Sequence, residues 1–274
     1  MKLAVCNEFF VDWKIEKVFD YAASIGCDGV EIAPFTLANS VKRITPSRRR
    51  SIRKAAQKAG VEIVGLHWLL AKPDGLYLTH PDASVRRKTQ DYIKDLINFC
   101  GDLGGTVMIH GSPGQRNLQK GWDPDESWKY AVDIFAGCTS LMKKRGVTYC
   151  IEALTGKETN FLTSIADALR MVADVDHPNF QTMLDTKAGT AETKSHVDLI
   201  AQAGKALRHV HVNDPNLRGP GFGDLTFASI LQALRDRHYD GYVSIEVFDF
   251  TVDPRTTASR SIGYLKGLLE GLAA

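Results

Sequence analysis

Short runs of Val, Ile and Leu alternate along the chain with longer stretches whose apolar residues recur every three or four positions, the pattern of repeated β-α units. The runs fall at 3–6, 29–33, 61–66, 106–109, 147–151, 182–184, 207–210 and 242–245, which predicts eight strands. Amphipathic helices are predicted between them. Val85, Thr89, Tyr92, Leu96, Phe99 and Leu103, for example, share one helical face, with Arg86, Arg87, Lys88 and Lys94 largely on the other. Asp82 is placed to cap that helix and the Gly104-Gly105 pair to end it. No Pro/Ser-rich linker, low-complexity tract or shift of composition divides the chain. One α/β domain over residues 1–274 is therefore expected. Eight strands with helical crossovers fit a single (β/α)8 TIM barrel, with an open doubly wound sheet as the alternative.

Composition sets bounds rather than a function. Hydrophobic residues at 44% and charged residues at 24% are ordinary for a globular protein and set disordered and fibrous classes aside. Lys and Arg number 34 against 32 acidic residues, so no whole-molecule field favours nucleic acid or a membrane surface. The basic run Arg48, Arg49, Arg50, Arg53 and Lys54 reads as a solvated helix face. Cys6, Cys27, Cys100, Cys138 and Cys150 are odd in number and lack C-x-x-C spacing, which suggests neither a disulfide framework nor a zinc ribbon. No signal peptide and no apolar run of about 18 residues is apparent. A cytoplasmic protein with no membrane or nucleic-acid partner is expected.

The ends of the predicted strands change the picture. In a parallel barrel, chemistry collects at the carboxyl ends of the strands, where the loops converge on one mouth. The residues at or just past those ends are Asn7, Glu31 (within its strand), His67, His110, Glu152, Asp185, His211 and Glu246. Carboxylates and imidazoles brought together on one axis are costly to bury unless a cation compensates them. Glu152, Asp185, His211 and Glu246 are accordingly read as ligands of one divalent metal ion. Three anionic oxygens and a nitrogen suit Mn2+ first, or Mg2+ or Co2+, better than structural zinc, with Zn2+ still open.

Ile151-Glu152-Ala153-Leu154, Met183-Leu184-Asp185-Thr186, His209-Val210-His211-Val212-Asn213-Asp214 and Ser244-Ile245-Glu246 resemble, in order, the four metal-ligand strands of the ketose 3-epimerases. These belong to the xylose isomerase-like barrel superfamily, with sugar isomerases and, more distantly, abasic-site endonucleases. The resemblance spans essentially the whole chain and takes in Arg218-Gly219-Pro220-Gly221-Phe222-Gly223-Asp224, a glycine-rich loop expected to lie flexibly over the mouth.

The resemblance implies an isomerase or epimerase of a monosaccharide, keto-sugar or cyclic polyol derivative. Glu152 and Glu246 would exchange the proton of a metal-stabilised enediolate from opposite faces. It also implies that Glu158 and Arg218 bind substrate oxygens and that the chain forms a homodimer or homotetramer. The chain departs from the epimerases at Ala188, where they carry a substrate-contacting His. A metal-dependent lyase or dehydratase on a keto-sugar-like substrate is the alternative, since it begins with the same proton abstraction.

His67 and His110 resemble two zinc ligands of the endonuclease branch, but Ala188 and the lack of an Asp-x-His pair near Asp224 break that three-zinc pattern. Both are read as substrate contacts, with a second metal as the alternative, and Trp68 as an apolar face for the sugar ring.

Overall fold

The computed structural model describes residues 1–273. Its eight strands are β1 (Lys2–Cys6), β2 (Gly29–Ile32), β3 (Glu62–Leu66), β4 (Val107–His110), β5 (Thr148–Ile151), β6 (Phe180–Asp185), β7 (Leu207–Val212) and β8 (Tyr242–Ile245). Each is parallel to the next, and β8 returns to β1 with Leu3 opposite Val243 and Val5 opposite Ile245. The sheet is thus a closed barrel, and the open-sheet alternative is excluded. All eight predicted strands are present; β6 and β7 run past their predicted ends, so Asp185 and His211 lie within strands.

Helices cover the outside. The longest, Ala83–Leu103, begins where the Asp82 carboxylate accepts the Ser84 N–H at 2.7 Å and ends at Gly104 in the left-handed conformation, φ +88°. The apolar stripe on this helix is buried, as its periodicity requires.

Strand alternation sorts the side chains into two layers. Val5, Val30, Ile32, Met108, Ile151, Val210, Val212, Val243 and Ile245 point outward and join the large core beneath the helices. Ile109, Cys150 and Met183 form a separate small cluster, with Val107 packed against it, inside the barrel. Counted two positions at a time toward the mouth, Cys150, Met183, His209 and Ser244 lead to Glu152, Asp185, His211 and Glu246. The barrel interior is therefore apolar on one side and strongly polar at its open end.

The basic run at the start of helix Pro46–Ala59 is partly structural. Arg49 Nη1 reaches Asp102 Oδ2 at 2.8 Å, and its other nitrogens donate to the carbonyls of Ile44 and Val41. Asp102 Oδ1 also accepts from Arg145 Nη2 at 2.5 Å, so one carboxylate ties three helices. Asp102→Ala is expected to destabilise the protein by about 1–2 kcal/mol, the scale of charge-assisted hydrogen bonds at a partly exposed site. Thermal unfolding would show the loss at neutral pH. Burial raises the Asp102 carboxyl, but the two guanidiniums outweigh it and hold it below its ordinary 3.8. The contribution is therefore present above that value and fades as pH falls through the lowered one, where wild type and variant should converge.

Candidate metal centre and substrate cavity

Glu152 and Glu246 stand immediately beyond β5 and β8, while Asp185 and His211 close β6 and lie near the end of β7. One ligand atom from each lies within 4.8 Å of those of the other three, and all four residues are buried. His211 Nδ1 and Glu246 Oε2 are 3.0 Å apart, yet neither makes a hydrogen bond within the described residues. Two buried polar atoms that converge without bonding fit two ligands of a common cation. Burial and the nearby Glu246 and Asp185 carboxylates push the Glu152 carboxyl well above its ordinary range, and burial and Glu246 raise Asp185. Burial also acts on Glu246, but the His211 and His67 imidazoles outweigh it and hold Glu246 low. Such crowded carboxylates are the ones a divalent cation would relieve.

Behind these four lies a supporting set. Asp185 accepts from the Ala188 N–H at 2.7 Å and from Asn213 Nδ2 at 2.6 Å, which fixes both its oxygens. Glu31, fully buried on β2, meets three imidazoles: Oε1 is 3.0 Å from His211 Nε2 and 3.7 Å from His67 Nδ1, and Oε2 is 2.7 Å from His209 Nε2. A proton on His211 Nε2 directed at Glu31 leaves the Nδ1 lone pair free to face the ligand cluster. His67 in turn sets Nε2 2.7 Å from Glu8 Oε2.

A cavity opens above the cluster, walled by His67, Trp68, Glu152, Glu158, Glu246 and Phe248 among others. Trp68 adopts φ +51°, a left-handed conformation uncommon for a bulky residue, and donates from Nε1 to Glu246 Oε1 at 3.1 Å. Gly111 also lines the cavity, and a Cβ there would lie 1.9 Å from Glu152 Oε2. Only glycine lets the loop after β4 pass so close to that carboxylate.

Two expected substrate contacts sit elsewhere. His110 is not a cavity wall. It is out of phase with Val107 and Ile109, so it turns outward, with its ring against Phe135 and Tyr149 and its Nδ1 2.5 Å from the Tyr149 hydroxyl. Burial and the Arg116 charge keep it neutral, well below its ordinary range. Among the described residues no candidate ligand group joins it to His67, while His67 falls in two groups of its own, with Glu8 and Glu246 and with Cys6 and Glu31. Arg218 is also off the wall, donating from Nε to Asp249 Oδ2 at 2.8 Å. Its glycine-rich loop is tied down rather than loose: Asp214 N–H bonds the Arg218 carbonyl at 2.7 Å, Asp214 Oδ2 accepts from Leu225 N–H, and Asn216 Nδ2 donates to the Phe222 carbonyl.

Sequence reasoning missed Glu8, His209, Asn213, Lys187, Arg116 and Phe248. Arg116 is wholly buried and donates from Nη1 to the Glu152 carbonyl at 2.7 Å. His209 and Asn213 carried a signal, each two residues from His211. Five cysteines are buried and free, and no helix among the described residues is long and apolar enough to cross a membrane.

The profile of the xylose isomerase-like TIM barrel family matches residues 19–268. A D-psicose 3-epimerase of Agrobacterium fabrum is 29% identical over 236 residues, covering 85% of this chain and 78% of the relative. A fructoselysine 3-epimerase of Shigella flexneri is 24% identical over 265 residues, covering 93% of each. The crystal structure of a D-psicose 3-epimerase in the presence of D-fructose superposes with a TM-score of 0.88 at 22% identity, covering 100% of both chains.

Proposed function

From the premise that the chain belongs to the xylose isomerase-like TIM barrel family, we propose that it is a divalent-metal-dependent sugar epimerase whose whole length, residues 1–274, serves as one catalytic domain. Residue 274 lies outside the described residues. The observation that carries the reading is the convergence of Glu152, Asp185, His211 and Glu246 beneath a cavity walled by both glutamates. The epimerase relatives supply the reaction class.

Glu152, Asp185, His211 and Glu246 would hold the cation, Mn2+ by the hardness of the set, and the cation would polarise a substrate carbonyl. Glu152 and Glu246 have two oxygens each and would serve as ligand and as proton carrier. One takes the proton from the carbon beside the carbonyl and the other returns it to the opposite face. The Trp68 N–H holds Glu246 in place for this exchange, and the indole and the Phe248 ring exclude water from it. Glu158 is the wall residue we assign to a substrate oxygen, and His67 to a second. His110 and Arg218 act instead as supports, His110 through Tyr149 and Arg218 through Asp249.

The direct test is deuterium exchange. Protein loaded with Mn2+ is incubated in D2O with a panel of keto-sugars that includes D-fructose and D-psicose, and carbon-bound deuterium is followed by NMR. Exchange with formation of the epimer supports the reading. Loss of water would place the reaction among dehydratases, and no exchange across the panel would overturn it.

Metal removal gives a second expected result. A ligand present at 100 times its dissociation constant stabilises the native state by about 2.7 kcal/mol. For a chain of this size that raises Tm by about 5–10 °C. Chelator-treated protein should show this rise on addition of Mn2+, and Asp185→Ala should not.

A further inference from the structure

We infer that Lys187 and Glu158 together recognise one hydroxyl group of the substrate. The inference rests on the cavity being the sugar site proposed above.

Lys187 lies on the one-turn helix Thr186–Gly189 that follows β6 and is 8% exposed. Its Nζ is 2.6 Å from Glu158 Oε1 and 4.1 Å from the centroid of the Phe248 ring. Glu158 and Phe248 both wall the cavity, so the ammonium is held against two of its wall residues. Glu158 Oε2 is locked by the Thr155 N–H at 3.1 Å and the Thr155 hydroxyl at 2.9 Å, which leaves Oε1 as the oxygen shared with Lys187.

The rest of the turn is spoken for. The Thr186 hydroxyl donates to the Asn213 carbonyl at 2.6 Å, the Ala188 N–H is used by Asp185, and Ala188 and Gly189 bring no polar side chain. Lys187 is thus the one side chain of this turn able to meet a ligand from this side. An ammonium has three N–H donors and Glu158 uses one.

An ammonium and a carboxylate held side by side suit a hydroxyl, which accepts from the one and donates to the other.

The experiment compares wild type, Lys187→Met and Lys187→Arg on D-fructose and its 1-deoxy, 4-deoxy and 6-deoxy analogues. Deuterium exchange gives kcat and KM, and saturation-transfer NMR gives binding without turnover. Lys187→Met should raise KM for D-fructose by roughly 10- to 100-fold, the scale of a hydrogen bond to a charged group. Wild type should lose a similar factor on one deoxy analogue, and the substitution should add nothing further there. Lys187→Arg, which keeps charge and donors, should recover part of the loss.

A uniform loss on every analogue or an unchanged KM would each overturn the inference. Protein that binds D-fructose yet exchanges no proton would sink the epimerase reading alone. The binding ratios would then still decide the role of Lys187.

Discussion

Glu246→Gln is expected to fold normally and to lose roughly 100- to 10,000-fold in turnover, the range a positioned general acid or base supplies. Glutamine has nearly the same shape, and its carbonyl oxygen can still accept from Trp68 Nε1, which is 3.1 Å from Glu246 Oε1 in the native chain. What it cannot do is carry a proton. The substitution also weakens one anionic ligand, so turnover is to be measured at saturating Mn2+ with metal content determined on the same sample. Loss of exchange with the metal still bound would assign the defect to proton transfer. Loss of the metal itself would assign it to the ligand set. Glu152→Gln should behave alike, because the Glu152 carboxyl belongs to the same cluster of ligand atoms within 4.8 Å. A fully active Glu246→Gln would remove the residue from the chemistry.

Most of the architecture was legible because it rests on local signals. Eight apolar runs, the cap at Asp82 and the stop at Gly104 each depend on a few neighbouring residues, and all are present. The four ligand candidates were legible because each stands at the mouth end of its strand and its segment resembles a ligand strand of the epimerases; the structure adds that each is in phase with the barrel interior. His110 shows what happens when only the first condition is applied. It ends β4, but the in-phase residues are Val107 and Ile109, and the next inward position is Gly111. Counting by twos would have placed His110 against the helices and Gly111 at the cavity.

Arg218 failed differently. Its partner Asp249 is 31 residues away on another loop, a pairing that no periodicity encodes. Lys187 and Glu158, separated by 29 residues, were invisible as a pair for the same reason. Arg116 reads in sequence as an ordinary loop charge, and only the fold buries it against the Glu152 backbone.

Glu31 gives the second large effect. It is fully buried and faces His211, His209 and His67 at distances of 3.0, 2.7 and 3.7 Å. Burial raises its carboxyl, but the adjacent His209 and His211 imidazoles outweigh that and hold it well below its ordinary range. Glu31→Gln is expected to weaken Mn2+ or Co2+ binding by about 10- to 100-fold, the usual consequence of disturbing a residue that orients a ligating histidine. The amide keeps the shape but can present an acceptor from one end only, so it cannot serve His211 and His209 as the carboxylate does.

Glu31→Ala should go further and lower stability by about 3–5 kcal/mol, since it leaves two buried imidazoles without their carboxylate partner. The pair of variants separates orientation from packing. If Glu31→Gln melts like wild type and its Co2+ absorption spectrum shifts as affinity falls, Glu31 acts on the metal site through His211. If both variants only lose stability while the metal binds as tightly as before, the buried glutamate serves the barrel core. The histidine would then owe its orientation to β7 itself.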